Sequence, residues 1–309
     1  MNAKERYFWD LNGHLILRGV LNKKELAAAN AAIDACADRI SPGEPNCLSR
    51  GSESLQGLGR PGLRGTQLLN IEKPHCDIFK KMLVHPDVIS RLRYMCGRGF
   101  RLDHGPQFIG GVKGTSGHRL HGAGAPHKPF VGYHHQDGEP HVGGVTVSWQ
   151  LTEVIEGKGG FACVPGSHKS NFDAPDGVTS CDDHMGTVIQ PGAQPGDVVF
   201  FMDGAQTHGA LPWKASHPRR TVLFKFHCRT SVFAPAAVSC VSAKVFAPQT
   251  TSSQYLPVEI ISLCTSKATA KTVVDVLCSP SLVGWEPGSP HQVGGATLGS
   301  SPIKEAPTA

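Results

Sequence analysis

The chain has 309 residues, a net charge of +5 at neutral pH and 16 histidines. This length fits one large domain of about 230 residues with an extension, or two domains, and it is sufficient to bury a sizeable core. Because Lys and Arg are scattered along the chain, nucleic-acid and membrane-surface binding are disfavoured, whereas small anionic substrates are compatible. No apolar run approaches the ~18 residues that a membrane helix requires, so we expect no membrane span.

The cysteines and the N-terminus indicate a reducing environment. The ten cysteines form no C-x-x-C pair, and no charged-then-apolar secretion signal opens the chain. We therefore expect mostly buried free thiols and an intracellular, cytoplasmic protein. The last three residues, Pro-Thr-Ala, differ from the Ser-Lys-Leu peroxisomal address.

The first part of the chain combines strand, helix and loop patterns. Residues 14–20 predict a strand, and Asn22 is placed to cap an Ala-rich helix that continues to about residue 38. The Gly-, Ser- and Pro-rich stretch 41–66 predicts a long loop or lid. Apolar residues at helical spacing predict a second helical region over 76–96, with a break at His85-Pro86, that packs against a sheet.

From residue 99 onward the chain changes to short strands separated by Gly and Pro. These strands are predicted over 99–104, 106–110, 145–151, 160–164, 197–202 and 221–227. The pattern predicts a mainly β fold, a sandwich or jelly-roll barrel with helices before it. A doubly wound parallel sheet is disfavoured because strands and helices do not alternate and no Gly-rich phosphate loop is present.

One short stretch brings together two metal-binding side chains. Residues 133–138 read Tyr-His-His-Gln-Asp-Gly, and in an extended segment His135 and Asp137 leave the chain on the same face. An imidazole and a carboxylate suit a non-haem iron site with two His and one carboxylate. His134 is the rival of His135, but it faces the opposite way and would not share a face with Asp137.

A third ligand and an anion-binding residue lie downstream. His208 follows an apolar strand that a Pro-Gly-Asp turn opens at 195–197. Eleven positions later, Arg219 begins another apolar strand, and its guanidinium suits bidentate binding of a carboxylate. Arg220 is its rival, since strand alternation sends one of the two into a barrel and the other outward. Thr221 shares the face of Arg219 and is a candidate hydroxyl donor.

This constellation resembles the phytanoyl-CoA dioxygenase family of Fe(II)- and 2-oxoglutarate-dependent oxygenases. The metal ligands of that family come as His-x-Asp and a distal His, and the co-substrate Arg follows that His by about eleven residues. Over roughly residues 5–233, further stretches agree with the family: 8–20 as an N-terminal strand, 149–154, 159–161, 165–169 and 195–197. The resemblance implies a double-stranded β-helix, the jelly-roll or cupin-like barrel, preceded by helices.

The resemblance also implies the cofactors and the reaction. Fe(II), 2-oxoglutarate and O2 are expected, with His135, Asp137 and His208 as metal ligands and catalytic residues. The expected activity is hydroxylation of a C–H bond in a small-molecule or lipid-like substrate, with release of succinate and CO2. Halogenating relatives have a small residue in place of the carboxylate, so Asp137 favours hydroxylation or another C–H oxidation such as desaturation.

Co-substrate binding is assigned first to Arg219 and Thr221. Gln150 and His118 are further candidates for contacts with 2-oxoglutarate, and Arg119 and His121 share the segment of His118. Ala210 departs from the family, because relatives often place a Ser two residues after the distal His. We read His168, in the turn at 165–169, as structural, and Trp149 as a core residue.

We expect three regions in the chain. Residues 1–98 form a helical N-terminal part and 99–232 the jelly roll, which together make one oxygenase domain. Residues 233–309 form a low-complexity extension rich in Ser, Thr, Ala, Pro and Val, where the resemblance stops. Two alternative functions are open: a cupin-type metalloenzyme that needs no 2-oxoglutarate, and a non-catalytic binding member of the family.

Overall fold

The fold is organised around one large sheet, antiparallel except for one short parallel pairing at its edge, with helices on one face and a smaller sheet on the other. The computed structural model describes residues 1–44, 48–122 and 131–229, and the backbone of two short strands at 240–241 and 262–264. Apart from those two strands, the extension predicted over 233–309 lies outside the described residues. Among the described helices, none combines the length and apolar character needed to cross a bilayer.

Six α-helices are described. They are α1 Ala3–Asn12, α2 Lys23–Ala35, α3 Glu53–Gln56, α4 His75–Leu83, α5 Pro86–Met95 and α6 Asp176–Ser180. The predicted start of α2 is confirmed: the Asn22 side chain accepts hydrogen bonds from the backbone N–H groups of Lys24 and Glu25, and the Glu25 carboxylate accepts one in return. The predicted break in the second helical region is also confirmed, with Pro86 at the first position of α5.

The N-terminal strand expected over 8–20 was wrong in its first half. Residues 3–12 form α1, because Asn2 and Glu5 make a reciprocal capping box that starts a helix. The strand that follows is restricted to His14–Leu17.

Fourteen strands are described, and most lie in one sheet. In chain order they are β1 His14–Leu17, β2 Ile40–Pro42, β3 Leu63–Gly65, β4 Arg101–Gly111, β5 His118–His121, β6 Tyr133–Gln136, β7 Glu139–Val142, β8 Gly144–Gln150, β9 Gly160–Cys163, β10 Val198–Met202, β11 His208–Leu211, β12 Arg219–His227, β13 Cys240–Val241 and β14 Ser262–Cys264. The large sheet has the order β1-β10-β8-β12-β4, and the outer edge of β4 pairs with both β3-β2 and β14-β13.

Two predicted boundaries changed because of strand pairing. The strands expected at 99–104 and 106–110 are one strand, β4, which passes through Gly105-Pro106 with an irregular register against β12. The stretch 41–66, predicted as a loop or lid, contains β2, α3 and β3. A short strand such as β3 is specified by the edge of β4 that it pairs with, which local composition does not reveal.

The two faces of the large sheet have different chemistry. On the outer face, alternate residues of β8 and β12, such as Val147, Trp149 and Phe224, are fully buried and pack in one apolar core with the helices. The prediction that Trp149 is a core residue is confirmed. On the inner face, β8 and β12 carry mainly polar residues, including Ser148, Gln150 and Arg219.

The small sheet covers this polar inner face. It has the order β5-β11-β9, and Phe161 of β9 packs against Phe201 of β10 with ring centroids 4.6 Å apart. The predicted class is therefore confirmed: the protein is mainly β with flanking helices, and its two facing antiparallel sheets form an open jelly roll that does not close into a barrel.

A third sheet is the isolated hairpin of β6 and β7. Gln136 pairs with Glu139, and the two residues between them, Asp137 and Gly138, have φ of 53° and 82°. Two successive positive φ angles define the tight hairpin turn for which Asp-Gly is a preferred sequence. This hairpin carries two of the three predicted iron ligands.

Candidate active site

A cavity of about 180 Å³ lies between the large and the small sheet. The large sheet lines it with Ser148, Phe201, Arg219, Leu223 and Lys225, and the small sheet with His118, His121, Phe161, His208 and Ala210. Arg64 of β3 and Leu48 add to one side. The cavity thus combines three imidazoles, three cationic side chains and an apolar wall.

His208, one of the predicted ligands, is buried at the start of β11. Its Nδ1 lies 2.8 Å from the carbonyl oxygen of Gln206, so Nδ1 carries the proton and Nε2 presents a lone pair. Its ring packs against Phe201, with centroids 4.7 Å apart, and burial lowers the pKa of His208 to about 3. A neutral imidazole whose other nitrogen donates to a carbonyl is the usual state of a metal-binding histidine.

A carboxylate lies beside His208. Asp203, in the loop after β10, has Oδ1 3.7 Å from Nε2 of His208 and 3.1 Å from the Lys225 ammonium. Burial disfavours the charged form of Asp203, but the charge and hydrogen bond of Lys225 together with His208 and His227 outweigh it, and the net effect lowers the pKa of Asp203. The structure therefore keeps an ionised carboxylate near the predicted ligand.

Two histidines of β5 extend the cluster. The ring of His121 lies 4.4 Å from that of His208 and 4.6 Å from that of His118. Nδ1 of each β5 histidine donates to the carbonyl of Arg119, at 2.7 Å for His118 and 3.1 Å for His121. Burial is the main cause that lowers the pKa of both, to about 4 for His118. The cavity histidines are therefore neutral at pH 7.

The predicted co-substrate arginine lies in the same cavity. Arg219 has a buried Nε to which no group of the described chain hydrogen-bonds. Burial, together with the charge of Arg64, lowers the pKa of Arg219 to about 10, so the guanidinium is still protonated at neutral pH. A buried guanidinium without a counter-ion is a site for a carboxylate.

Arg220, the rival, points to the opposite face of the sheet. Its guanidinium contacts Asp34 of α2 at 2.6 Å and the side-chain oxygen of Asn30 at 3.1 Å. Strand alternation therefore directs Arg219 toward the cavity and Arg220 toward the helices.

The other predicted co-substrate residues are less accessible. The hydroxyl of Thr221 donates to Oε1 of Gln150 at 3.2 Å, and Nε2 of Gln150 donates to Oγ of Ser148 at 2.8 Å. Both residues are buried behind the cavity wall, so in this structure the Thr221 proton is not available to a bound carboxylate. His118, by contrast, lines the cavity directly.

The remaining predicted ligands are elsewhere. His135 and Asp137 are exposed on the β6–β7 hairpin and do not line the cavity that contains His208. Asp137 is a turn residue with φ of 53°, so the expectation that it shares a strand face with His135 was wrong. No group of three or more His, Cys, Asp or Glu in the described part of the chain has the geometry of a metal site. Ligation by His135 and Asp137 stays a prediction.

His168 has a structural environment, as expected. It is buried, its Nε2 donates to the backbone carbonyl of Asp10 at 2.9 Å, and its ring meets that of Tyr133 edge to face. Tyr133 in turn donates its hydroxyl to the Asp10 carboxylate. This contact attaches the β6–β7 hairpin to α1.

Three cavity residues were not identified from the sequence. Lys225 could have been predicted, because strand alternation places it on the same face as Arg219, which lies six residues earlier. Asp203 follows the apolar strand β10 directly, but a single Asp before a Gly reads as a turn. Arg64 lies in the stretch that was predicted as a loop, and its place in the cavity depends on the pairing of β3 with β4.

Comparison with known proteins supports the family. Residues 114–221 match the sequence model of the family described as phytanoyl-CoA dioxygenase (PhyH). This segment contains His135, Asp137, His208 and Arg219. No curated protein matches the chain significantly.

Solved structures share the fold at low sequence identity. HygX from Streptomyces hygroscopicus with nickel and 2-oxoglutarate bound is 18% identical, with a TM-score of 0.60 over 75% of this chain and 89% of HygX. AviO1 from Streptomyces viridochromogenes Tue57 is also 18% identical, with a TM-score of 0.55 over 76% and 98% of the two chains. SnoN, a non-haem α-ketoglutarate-dependent epimerase from nogalamycin biosynthesis, is 17% identical, with a TM-score of 0.54 over 84% and 97%. The resemblance predicted from the sequence is thereby confirmed: residues 114–221 match the phytanoyl-CoA dioxygenase family model, and the fold is like that of HygX, AviO1 and SnoN.

Proposed function

We propose that the protein is an Fe(II)- and 2-oxoglutarate-dependent oxygenase that oxidises a C–H bond of a small molecule. The observation that carries this proposal is the unpartnered, buried Nε of Arg219 in the same cavity as the lone pair of His208 Nε2. An imidazole nitrogen able to bind a metal and a guanidinium able to bind a carboxylate, in one cavity, match two of the needs of iron and a 2-oxoacid. HygX has a structure with bound 2-oxoglutarate and SnoN is an α-ketoglutarate-dependent epimerase, which supports the assignment.

Arg219 would bind the distal carboxylate of 2-oxoglutarate. That carboxylate would neutralise the charge of Arg219 and accept hydrogen bonds from its N–H groups. Both interactions offset the free-energy cost of desolvating a guanidinium. Gln150 and Thr221 would act from behind it, because their mutual hydrogen bond fixes the wall of the cavity next to Arg219. His118, which lines the cavity, would be a further polar contact.

The metal would be held by His208 together with His135 and Asp137, the pair that matches the family motif. Iron(II) with 2-oxoglutarate and O2 supplies C–H oxidation coupled to decarboxylation of the co-substrate to succinate. The protein contributes position and solvent exclusion. Gln206 orients His208 through the Nδ1 hydrogen bond, and Phe201, which packs against Phe161, covers the ring with apolar surface.

A second ligand set is suggested by the cavity itself. Asp203 and His121 are the carboxylate and imidazole nearest to His208. With His208, these residues would also supply two histidines and one carboxylate. However, Lys225 already neutralises the Asp203 carboxylate, which makes Asp203 a weaker metal ligand. The family motif therefore remains the first choice.

The finer reaction that we propose is hydroxylation. Asp137 supplies the carboxylate whose absence would open a halide position, so halogenation is disfavoured. The structural relatives include an epimerase and a carbocyclase, so the product needs direct identification. Hydroxylation adds one oxygen to the substrate, whereas desaturation or ring closure removes two hydrogens, and mass spectrometry separates these outcomes.

The test is an anaerobic titration of the apo-protein with Fe(II) and then 2-oxoglutarate. A weak visible charge-transfer band reports chelation of the 2-oxoacid by iron, and equilibrium dialysis reports iron binding alone. We expect wild type to form the band, His208→Ala to lose iron, and Arg219→Gln to bind iron but to need at least about tenfold more 2-oxoglutarate. Arg220→Gln is the matched control, because that guanidinium faces α2, and its titration should equal that of wild type.

Other outcomes favour the alternative functions. If wild type binds iron without ever forming the band, a cupin-type enzyme that does not use 2-oxoglutarate is favoured. If wild type binds no iron, a non-catalytic binding role is favoured and the oxygenase proposal fails. If Arg219→Gln and Arg220→Gln behave alike, Arg219 is not the co-substrate residue.

A further inference from the structure

The cavity contains a second arginine that the proposed chemistry does not use. Arg64 pairs across β3 and β4 with Ile109, and Ile109 pairs with Thr221 of β12. Directly paired residues in neighbouring strands share a face of the sheet, so Arg64 lies on the cavity face, two strands from Arg219. It is exposed at the mouth of the cavity, whereas Arg219 is only partly exposed and its Nε is buried.

Arg64 has no counter-charge in the described part of the chain. No hydrogen bond or ion pair joins its guanidinium to any described residue, while Arg18, Arg91, Arg119 and Arg220 each pair with a carboxylate. Of the cavity cations, Lys225 is neutralised by Asp203. Arg64 and Arg219 are close enough for the charge of Arg64 to contribute to the lowered pKa of Arg219. The cavity therefore holds two uncompensated positive charges.

One 2-oxoglutarate molecule does not use both guanidiniums equally. The 2-oxoacid end goes to iron, and a single distal carboxylate remains, for which the buried Arg219 is the better partner because it is desolvated. Part of the remaining wall is apolar and includes Leu63, Ile109 and Leu223. An anionic head at the mouth with an apolar body inside matches this distribution.

We propose that the cavity binds a substrate with an oxyanion group, a carboxylate or a phosphate ester, and that Arg64 binds this group. The inference rests on the proposed function and specifies its substrate class. A guanidinium recognises both oxyanions through paired N–H donors. Arg64 is thus a specificity-determining residue that orients the substrate at the mouth of the cavity.

The experiment is calorimetric titration of the full chain with three small probes. Inorganic phosphate and benzoate represent the two oxyanion sources, and benzamide is the neutral match of benzoate. With Fe(II) and saturating 2-oxoglutarate present, we expect at least one oxyanion to bind wild type with a Kd of about 1 mM or tighter. Benzamide should bind at least about tenfold more weakly than benzoate if the carboxylate is the preferred head.

Two variants with the same change in net charge test the assignment. Arg64→Gln should weaken the preferred oxyanion at least about tenfold, and Lys113→Gln, an exposed cation outside the cavity, should change it less than about twofold. Neither variant should alter the 2-oxoglutarate concentration needed for the visible band. Absence of oxyanion binding to wild type, equal effects of the two variants, or displacement of the Arg64-dependent oxyanion by 2-oxoglutarate would each overturn the proposal.

Failure of the proposed function gives a different result. In the absence of 2-oxoglutarate, we expect two oxyanions to bind to each chain. Arg64→Gln should abolish binding of one of them, and Arg219→Gln binding of the other. If the visible band never forms but this Arg64-dependent binding persists, the oxygenase assignment fails and the oxyanion site stands.

Discussion

Two regions of the molecule carry the predicted chemistry, and they are built differently. His208 and Arg219 are held on β11 and β12, each within a sheet of at least three strands, and their side chains lie in the cavity between the sheets. His135 and Asp137 lie on a two-stranded hairpin and are exposed. A hairpin of two strands is marginal on its own, so its position depends on a few side-chain contacts.

This difference shows how the same sequence motif can serve two roles. His-x-Asp-Gly matches the metal motif of the family, and its Asp-Gly also forms a tight hairpin turn. The buried half of the site is specified by strand pairing and alternation. The hairpin half is held by Val142, which is buried in the main core, and by the contact between Tyr133 and Asp10, whose carboxylate also lies 2.7 Å from the Lys169 ammonium.

The largest effect should come from the choice between two carboxylates. If the hairpin supplies the metal ligand, Asp137→Ala should weaken Fe(II) binding by more than about 100-fold, because a charged ligand is lost. Asp203→Asn, in the cavity, should weaken it less than about tenfold, since Lys225 already neutralises that carboxylate. Equilibrium dialysis with Fe(II) measures both.

His134→Ala is the control for general damage to the hairpin, and it should leave iron binding within about twofold of wild type. If Asp137→Ala leaves the Fe(II) affinity unchanged and Asp203→Asn lowers it strongly, the metal is assigned to His208, His121 and Asp203. Loss of iron in His134→Ala would instead show that the hairpin binds through its other histidine.

Glycine substitutions should separate the rigid region from the hairpin. A Cβ at Gly209 of β11 would lie 2.5 Å from the backbone carbonyl of His118, so Gly209→Ala should cost about 3 kcal/mol of unfolding free energy. A Cβ at Gly138 would meet no atom within 4 Å, so Gly138→Ala should cost only about 1 kcal/mol, from its φ of +82°. Urea unfolding of both variants measures the difference. Equal costs would mean that β5 and β11 separate easily.

The cavity should also make stability depend on pH. The folded protein resists protonation of His118, whose pKa is lowered from 6.5 to about 4 mainly by burial. The unfolded chain therefore binds more protons below pH 6.5, and the contribution of His118 is fully present above that pH and lost as the pH falls toward 4. Between pH 7.5 and 5 this loss amounts to about 2 kcal/mol.

The measurement is urea unfolding of the metal-free protein at these two pH values. His118→Gln should reduce the difference by most of that amount, because the amide does not titrate. His75→Gln, at the half-exposed first residue of α4 and outside the cavity, is the matched control and should reduce the pH dependence less than His118→Gln does. An unaltered slope in His118→Gln would mean that the ring is solvated in the folded protein.

Much of the framework follows from local sequence. Asn22 and Glu25 predict the start of α2 because a capping box is a contact between neighbours, and His85-Pro86 predicts the helix break for the same reason. The opposite directions of Arg219 and Arg220 follow from alternation along one strand. These features need no information from distant parts of the chain.

The features that the sequence did not predict depend on distant partners. Arg64 enters the cavity only because β3 pairs with β4, and Asp203 becomes part of the site through Lys225, 22 residues later. The N-terminal helix α1 was missed because the family resemblance favoured a strand over a capping signal at Asn2 and Glu5. At Arg64 and Asp203, contacts with distant parts of the chain decide the role of the side chain, and the local sequence pattern does not.

The smallest effect concerns the contact that attaches the hairpin. Tyr133→Phe removes the hydroxyl that donates to Asp10 but keeps the ring that packs against His168. Because Asp10 retains Lys169, we expect a loss of about 1 kcal/mol of unfolding free energy. Faster amide hydrogen exchange in β6 and β7, with unchanged exchange in β11 and β12, would locate the effect. Tyr7→Phe, on the exposed side of α1, is the control. If exchange rises equally in both regions, the hairpin and the cavity unfold as one unit, and the contrast between them disappears.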